Sequence, residues 1–424
     1  MKSSRLIEKK QQTTQLATLQ ISDADYPALK ANFIVSTILE LETLVPLLQT
    51  LRSQNRPFNV LYGIPLVPSH VPRLAEIAAL YLGGVPGSIS VMIDHPDQIE
   101  YLQRFFDIAR FPVGVFLKVD TGYHRAGLPS TALNKSGLVK RLIEAEGLGV
   151  VELLGVYSHS SLSYTATTPE EAMMHLVSEI EGCKDALERN ADLLSPEKGR
   201  EVVISVGATP QVLSSRHLLL GNGDVSSSPE AAALRKALSV KDISSLKVKI
   251  ELHAGVYPLL DMQQFSTNAS LPSSSPEKEI AISILAEVCS VYNDGERQKP
   301  EALLAAGTLA LGREPCPSYP GWGVISSWKR QPSNNTADRL IVARISQEHA
   351  IISWQSAADD KIPLSVGQVV KIFPNHACVA GAFYNHYFVV DSDLDPDASR
   401  IVDVWVRAKG SEEITKRVLL SRNQ

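Results

Sequence analysis

Seven short apolar runs punctuate the chain up to about residue 265: NFIVST (32–37), NVLYGI (59–64), SISVMI (88–93), VGVFLKVD (113–120), VELLGVYSH (151–159), VVISVGAT (202–209) and LKVKIELHAG (246–255). They are rich in Val, Ile and Leu and mostly continuous, as in parallel strands buried on both faces. Amphipathic stretches lie between them, among them 39–54, 72–82 and 170–190. The last has the i, i+3/i+4 spacing of a helix that covers one face. Strand and helix in alternation predict an α/β fold with right-handed crossovers. RLIEK (5–9) supplies a short eighth strand ahead of the first helix. Eight βα units close a barrel of about 250 residues. An open doubly wound sheet is the lesser alternative, because no G-x-G-x-x-G follows the early strands.

The texture changes after residue 265. STNASLPSSSPEKE (266–279) reads as an exposed polar loop. AISILAEVCSVYND, ALLAAGTLALG, LIVARISQEHAIISW, VGQVVKIF and HYFVVD follow, separated by Pro, Gly, Asp and Asn. Short runs with turn signals and little helical period predict a β-domain. The expected organisation is an α/β barrel over 1–265 and a β-domain over 266–424.

Composition narrows the function classes. The 424 residues carry 41 Lys+Arg against 46 Asp+Glu, a formal charge of −5, with 44% apolar and 21% charged residues. These values suit a globular chain and exclude a fibre, a disordered chain or a disulfide scaffold. Mild acidity without a basic run argues against a nucleic-acid partner. No apolar stretch nears the ~18–20 residues needed to cross a bilayer. Cys183, Cys289, Cys316 and Cys378 form no C-x-x-C pair, and the start MKSSRLIEKKQQTTQ lacks the apolar core of a secretory signal. A reducing, cytoplasmic compartment is the expectation.

Polar clusters fall at the carboxyl ends of the expected strands, the face on which barrels of this kind work. They are KVDTGYHRAG (118–127), YSHSSLSY (157–164), GATP (207–210) and HAGVY (253–257). The last two follow strands seven and eight, where such barrels often bind phosphate. Thr209 offers a hydroxyl, and Gly255 lets the Gly255–Val256 amides approach an anion; the same residues equally make ordinary turns. Lys9, Lys10 and Lys118 are the lysines near strand ends, and Lys9 has the place expected of an amine beside that phosphate. A solvated lysine in a frayed terminus is the plainer alternative. His376 and Cys378 stand at i and i+2 in FPNHACVAG. On an extended segment both would face one way and offer two ligands to a metal such as zinc, unless they are packing residues. Arg125, Tyr157, His159, Tyr164, Glu348 and His349 have structural readings of their own, as surface, core or strand-end residues.

Six strings occur in order: KVDTGYHRAGL, LLGVYSHSSLSY, SVGATPQ, ELHAGVYPLLDMQ, SQEHAII and VVKIFPNHACVAGAFYNHYFVVD. Together they resemble the eukaryotic D-serine dehydratase family, zinc- and pyridoxal-phosphate-dependent relatives of D-threonine aldolase and alanine racemase. The resemblance implies a cofactor-binding barrel of the alanine racemase type, a following β-domain and a homodimer acting on a small D-amino acid. It implies zinc on His376 and Cys378, and cofactor contacts at Tyr157, Tyr164, Thr209, Gly255 and Val256. Arg125 matches the arginine beside the cofactor's phenolic oxygen, and His159 the histidine near its ring. Aligned on Leu19-Gln20, Lys9 takes the Schiff-base position and Arg5 that of an arginine.

There are departures. Both histidines of the lysine motif are replaced, by Ile7 and Gln11, and its second lysine by Gln12. Leu162 stands where histidine is frequent and Val256 where asparagine is. The strand and helix that usually precede the lysine are missing, so the chain reads as N-terminally shortened. The implied activity is β-elimination of D-serine to pyruvate and ammonia, with Lys9 taking the Cα proton. The alternatives are a D-threonine-type aldolase, a catalytically impaired cofactor-binding paralogue and an unrelated metal-dependent barrel hydrolase.

Overall fold

A computed structural model describes residues 5–8, 30–194, 199–220, 224–270, 275–326, 328, 338–356, 359–395 and 398–408. Lys9 lies outside these residues. The described residues form two compact units. One holds those up to Ser163, Glu170–Gly255 and Ala408; the other holds Tyr164–Pro169 and Val256–Arg407.

In the first unit, eight parallel strands close a ring: β1 (Arg5–Glu8), β2 (Ala31–Val35), β3 (Phe58–Pro65), β4 (Ile89–Ile93), β5 (Val113–Asp120), β6 (Val151–Tyr157), β7 (Glu201–Val206) and β8 (Leu246–Ala254). Short β1 makes the closure, pairing with β2 on one side and β8 on the other, Leu6 opposite Asn32 and His253. Strands β2 and β4 are buried along their whole length, which is why they read as unbroken apolar runs. Inward-facing Ile34, Leu61, Met92, Phe116 and Tyr157 pack into one interior cluster. The opposite strand faces pack under helices, among them α1 (Ile38–Ser53), α2 (Gln98–Ala109), α3 (Leu138–Gly147) and α4 (Pro169–Arg189), while α5 (Thr209–Ser215) follows β7. A capping box starts α1: Thr37 accepts from the Glu40 amide at 3.2 Å, and Glu40 accepts from the Thr37 amide at 3.1 Å. Helix α4 buries Met173, Leu176, Ile180, Cys183 and Leu187 as one stripe. The stretch 72–82 departs from a plain helix, because Val71–Glu76 is α-helical and Ile77–Tyr81 widens into a π turn.

In the second unit, a helical turn α6 (Met262–Ser266) precedes six strands that close an antiparallel barrel. They are β9 (Ile284–Tyr292), β10 (Glu301–Leu304), β11 (Gly323–Ile325), β12 (Leu340–Ile345), β13 (Ala350–Trp354) and β14 (Val369–Pro374), in the spatial order β9-β10-β13-β12-β11-β14. Val288, Leu304, Leu340, Val342, Ile352 and Ile372 fill its core. A further turn of helix, α7 (Ala377–Gly381), leads to a two-stranded ribbon of β15 (His386–Val390) and β16 (Ile401–Val406). The segment 266–279 is less loop-like than its polar texture suggests: Ala269 is fully buried, and Pro276–Glu279 forms a helical turn capped by Ser275. Among the described residues, no helix is long and apolar enough to cross a membrane.

Gly155 is the tightest point of the first ring. Its φ is +150°, and a Cβ there would sit 2.0 Å from the Val203 carbonyl oxygen on β7. The ladder to β5 slips beside it, pairing Val115 with Leu153 and Phe116 with Gly155. Gly155→Ala is expected to cost about 3 kcal/mol, from backbone strain and overpacking together. Urea denaturation reads this directly, and a wild-type midpoint would contradict the packing described.

Candidate functional site

Parallel strands in a closed ring deliver their carboxyl ends to one rim, so β5–β8 bring their last residues together. Lys118 on β5 is only 6% exposed, and its ammonium lies 5.1 Å from the centre of the Tyr157 ring. Burial pushes its pKa down to about 8, against the opposing pull of the Glu179 carboxylate. Tyr157 ends β6, its ring stacked parallel to that of His253 with centroids 4.5 Å apart. His159 lies 5.6 Å from the same histidine ring.

Hydrogen bonds fix these rings. His159 Nδ1 is 2.7 Å from the Gly207 carbonyl oxygen. A carbonyl oxygen only accepts, so Nδ1 carries the proton and Nε2 is the basic nitrogen. Ser205 Oγ lies 3.2 Å from His253 Nδ1. Glu251 accepts from Asn32 Nδ2 at 2.7 Å. Glu251 and His253 alternate onto one face of β8, and Asn32 sits on β2, beyond β1. That contact therefore runs through the barrel interior. Burial raises the Glu251 pKa, with Ser205 the largest opposing influence.

The turn after β7 needs its glycine. Gly207 has φ +139°, and a Cβ would lie 2.4 Å from the His253 carbonyl oxygen. Thr209, nearly fully buried, then begins α5. After β5, Asp120 accepts from the Gly122 and His124 amides, each at 3.0 Å, and contacts His124 Nδ1 at 2.8 Å. This loop carries Arg125, which is exposed with its guanidinium 5.2 Å from the Tyr123 ring centre. Tyr157 and His159 are thus brought together, joined by Lys118, Ser205 and His253. Thr209 lies two residues beyond the Gly207 carbonyl that holds His159, and Gly255 two residues beyond His253. Arg125 is not drawn into the buried stack.

Tyr164, Val256, His376 and Cys378 belong to the second unit. Asp261, fully buried, accepts from the Gln264 amide at the start of α6 and from the Ala377 amide, both at 2.8 Å. Gln263 donates its amide N–H to Asn375 O at 3.0 Å and its side-chain NH₂ to Pro315 O at 2.7 Å. The second bond fixes the Gln263 amide, so its oxygen meets His376 Nδ1, at 2.5 Å. His376 therefore carries its proton on Nδ1, and Nε2 has the coordinating lone pair. Asn375 is held by Tyr319, whose hydroxyl donates to its side-chain oxygen, and by the Glu314 and Gly321 carbonyls at 2.8 and 2.7 Å. The Tyr164 ring lies 6.5 Å from His376.

His376 and Cys378 do not share an extended segment. His376 is extended (φ −134°, ψ 106°) and caps α7, while Cys378 lies in that helix. The Ala380 amide donates to His376 O at 3.0 Å, which turns the chain helical. The pair is related by a cap and a first helical turn, not by strand alternation. Among the described residues, no cluster of three or more His, Cys, Asp and Glu residues could hold a metal ion. Glu348 and His349 occupy the exposed turn between β12 and β13.

Sequence reasoning passed over Glu179, Ser205, Glu251, His253, Asp261 and Gln263. A signal was present for three of them. Glu251 and His253 interrupt the apolar end of β8, and Glu179 stands on the apolar stripe of α4, three residues after Leu176.

Comparison with known proteins agrees with this two-part architecture. Residues 31–218 match the family model described as alanine racemase, N-terminal domain, and residues 281–390 match putative serine dehydratase domain. A D-serine dehydratase from Schizosaccharomyces pombe is 30% identical over 408 residues, covering 95% of this chain and 84% of the relative. One from Saccharomyces cerevisiae is 28% identical, covering 88% and 79%. Among solved structures, D-threo-3-hydroxyaspartate dehydratase from Delftia sp. superposes with a TM-score of 0.67 at 22% identity, covering 96% of this chain and 91% of that one, which shows the shared fold. With the barrel, the β-domain and the fission yeast relative in agreement, the chain belongs to the D-serine dehydratase family.

Proposed function

We propose that this chain converts D-serine to pyruvate and ammonia, using pyridoxal phosphate and zinc. The observation that carries the reading is the buried stack of Tyr157, His253 and His159 at the carboxyl ends of β6 and β8, the strands on either side of β7. Flat rings, a histidine of fixed tautomer and the Thr209 hydroxyl suit a phosphorylated aromatic cofactor. Zinc suits His376 and Cys378, a neutral imidazole with its proton on Nδ1 beside a thiol. A variant of the Delftia enzyme is described as a metal-free form, which supports a metal in this family.

When bound, pyridoxal phosphate supplies an electron sink at Cα, and zinc a Lewis acid for the leaving hydroxide. Lys9, next in sequence after β1, is assigned to the cofactor aldehyde and takes the Cα proton at Nζ. Tyr157 and His159 hold the ring, with Arg125 assigned to its phenolic oxygen. Thr209, Gly255, Val256 and Tyr164 take the remaining cofactor contacts. His376 Nε2 and Cys378 Sγ hold the metal. The Cα–H and Cβ–O bonds break, and hydroxide leaves as water. That water is recovered when the released imine hydrolyses, so D-serine yields pyruvate and ammonia in balance.

The reading extends to a cytoplasmic homodimer. The β15–β16 ribbon exposes Phe388, Ile401, Val404 and Val406, apolar side chains that support a contact between subunits. All four cysteines are free thiols, as in a reducing compartment.

Two outcomes check this. With both cofactors, D-serine is expected to give pyruvate and ammonia in equal amounts, and Lys9→Ala to slow the reaction roughly 10²–10⁴-fold. Glycine and an aldehyde from D-threonine as the dominant reaction would favour an aldolase instead, and full activity in Lys9→Ala would dismiss that lysine. Separately, Gln263→Ala is expected to weaken zinc binding about 10–100-fold in competition with a chromogenic chelator, by releasing the His376 ring. An unchanged zinc affinity would contradict the role given to Nδ1.

A further inference from the structure

Glu179 is a carboxylate where a helix should be apolar. It sits on the inward stripe of α4 between Leu176 and Ile180, is 1% exposed, and belongs to no loop of the site. Burying a carboxylate is costly unless its oxygens are bonded. One oxygen of Glu179 accepts from the Ser160 amide at 2.7 Å and from Gln211 Nε2 at 3.1 Å. The other accepts from the Gly207 amide at 3.3 Å. All three partners are N–H donors, which match the ionised form. Burial pushes the Glu179 pKa up, while these donors and the Lys118 charge pull the other way.

The three donors come from two separate segments. Ser160 follows β6, next to His159; Gly207 and Gln211 flank Thr209 after β7. His159 itself donates to the Gly207 carbonyl at 2.7 Å, so the peptide units around Gly207 are gripped from both sides. No other described carboxylate joins these two segments.

We propose that Glu179 is the positioning residue of the barrel-end site: it ties the segment carrying His159 to the turn carrying Thr209, and so sets the spacing of their cofactor contacts. The inference rests on the functional reading above for what the spacing serves, but the tie itself does not. Glu179 acts through the Ser160 and Gly207 amides and the Gln211 side chain. In Glu179→Gln the side chain keeps its size, yet its new NH₂ must face a donor: either the Gly207 N–H, or the Ser160 N–H together with the Gln211 NH₂. Either way the tie between the two segments is weakened, at Gly207 or at Ser160.

The test uses the full chain with two readouts. In Glu179→Gln, hydrogen exchange at the Ser160 or the Gly207 amide, whichever faces the new NH₂, is expected to quicken at least tenfold, with the α4 amides unchanged. Affinity for pyridoxal phosphate, read from the absorbance of the bound cofactor, should fall at least tenfold. Zinc affinity should stay at the wild-type value, which a general loss of structure would not allow. Wild-type protection of those two amides, or unchanged cofactor affinity, overturns the proposal. If Glu179→Gln does not fold, Gln211→Leu decides: it removes one donor and should weaken cofactor binding about threefold, whereas no change rejects the tie. A wild-type chain that binds no pyridoxal phosphate would reject the functional reading alone, leaving amide exchange to judge Glu179.

Discussion

The pairing of β1 with both β2 and β8 is the constraint on which the rest depends. It turns an open sheet into a ring, and a ring of parallel strands has only one rim where carboxyl ends gather. His253 lies opposite Leu6 in that ladder, so the strand that carries the interior histidine is also the neighbour of the strand that Lys9 follows. Without that closure, Asn32 on β2 could not reach Glu251 on β8 across the interior, and the buried carboxylate would lose that partner.

Pairing explains how a packed barrel tolerates polar groups. Asn32 meets the Glu251 carboxylate, and Ser205 meets His253, whose ring stacks on Tyr157. Lys118 is held differently, over the Tyr157 ring and attracted by Glu179, its pKa lowered to about 8 by burial. The second unit uses the same logic on a smaller scale. Asp261 and Gln263, one at the cap and one within a short helix, orient the His376 loop through the Ala377 amide and the imidazole Nδ1.

Much of the fold was legible in the sequence because buried parallel strands leave long apolar runs; 113–120 coincides with β5, and 246–255 overruns β8 by a single residue. The amphipathic period of 170–190 likewise marked α4. Side-chain partnerships were less legible, since they depend on residues far apart in sequence: Glu179 meets Gly207, and Gln263 meets His376, only once the chain has folded. The His376–Cys378 spacing misled in one respect. An i, i+2 pair reads as strand alternation only if the strand continues, and here β14 stops at Pro374, where the buried Asn375 and the Asp261–Ala377 bond turn the chain into α7.

The central claim is that the amine following β1 holds the cofactor at this rim. Borohydride reduction of the pyridoxal-phosphate-loaded protein, followed by digestion and mass spectrometry, tests it most directly. The account predicts a reduced pyridoxyl group on the peptide containing Lys9. A label confined to Lys118, or none on any lysine, would contradict it.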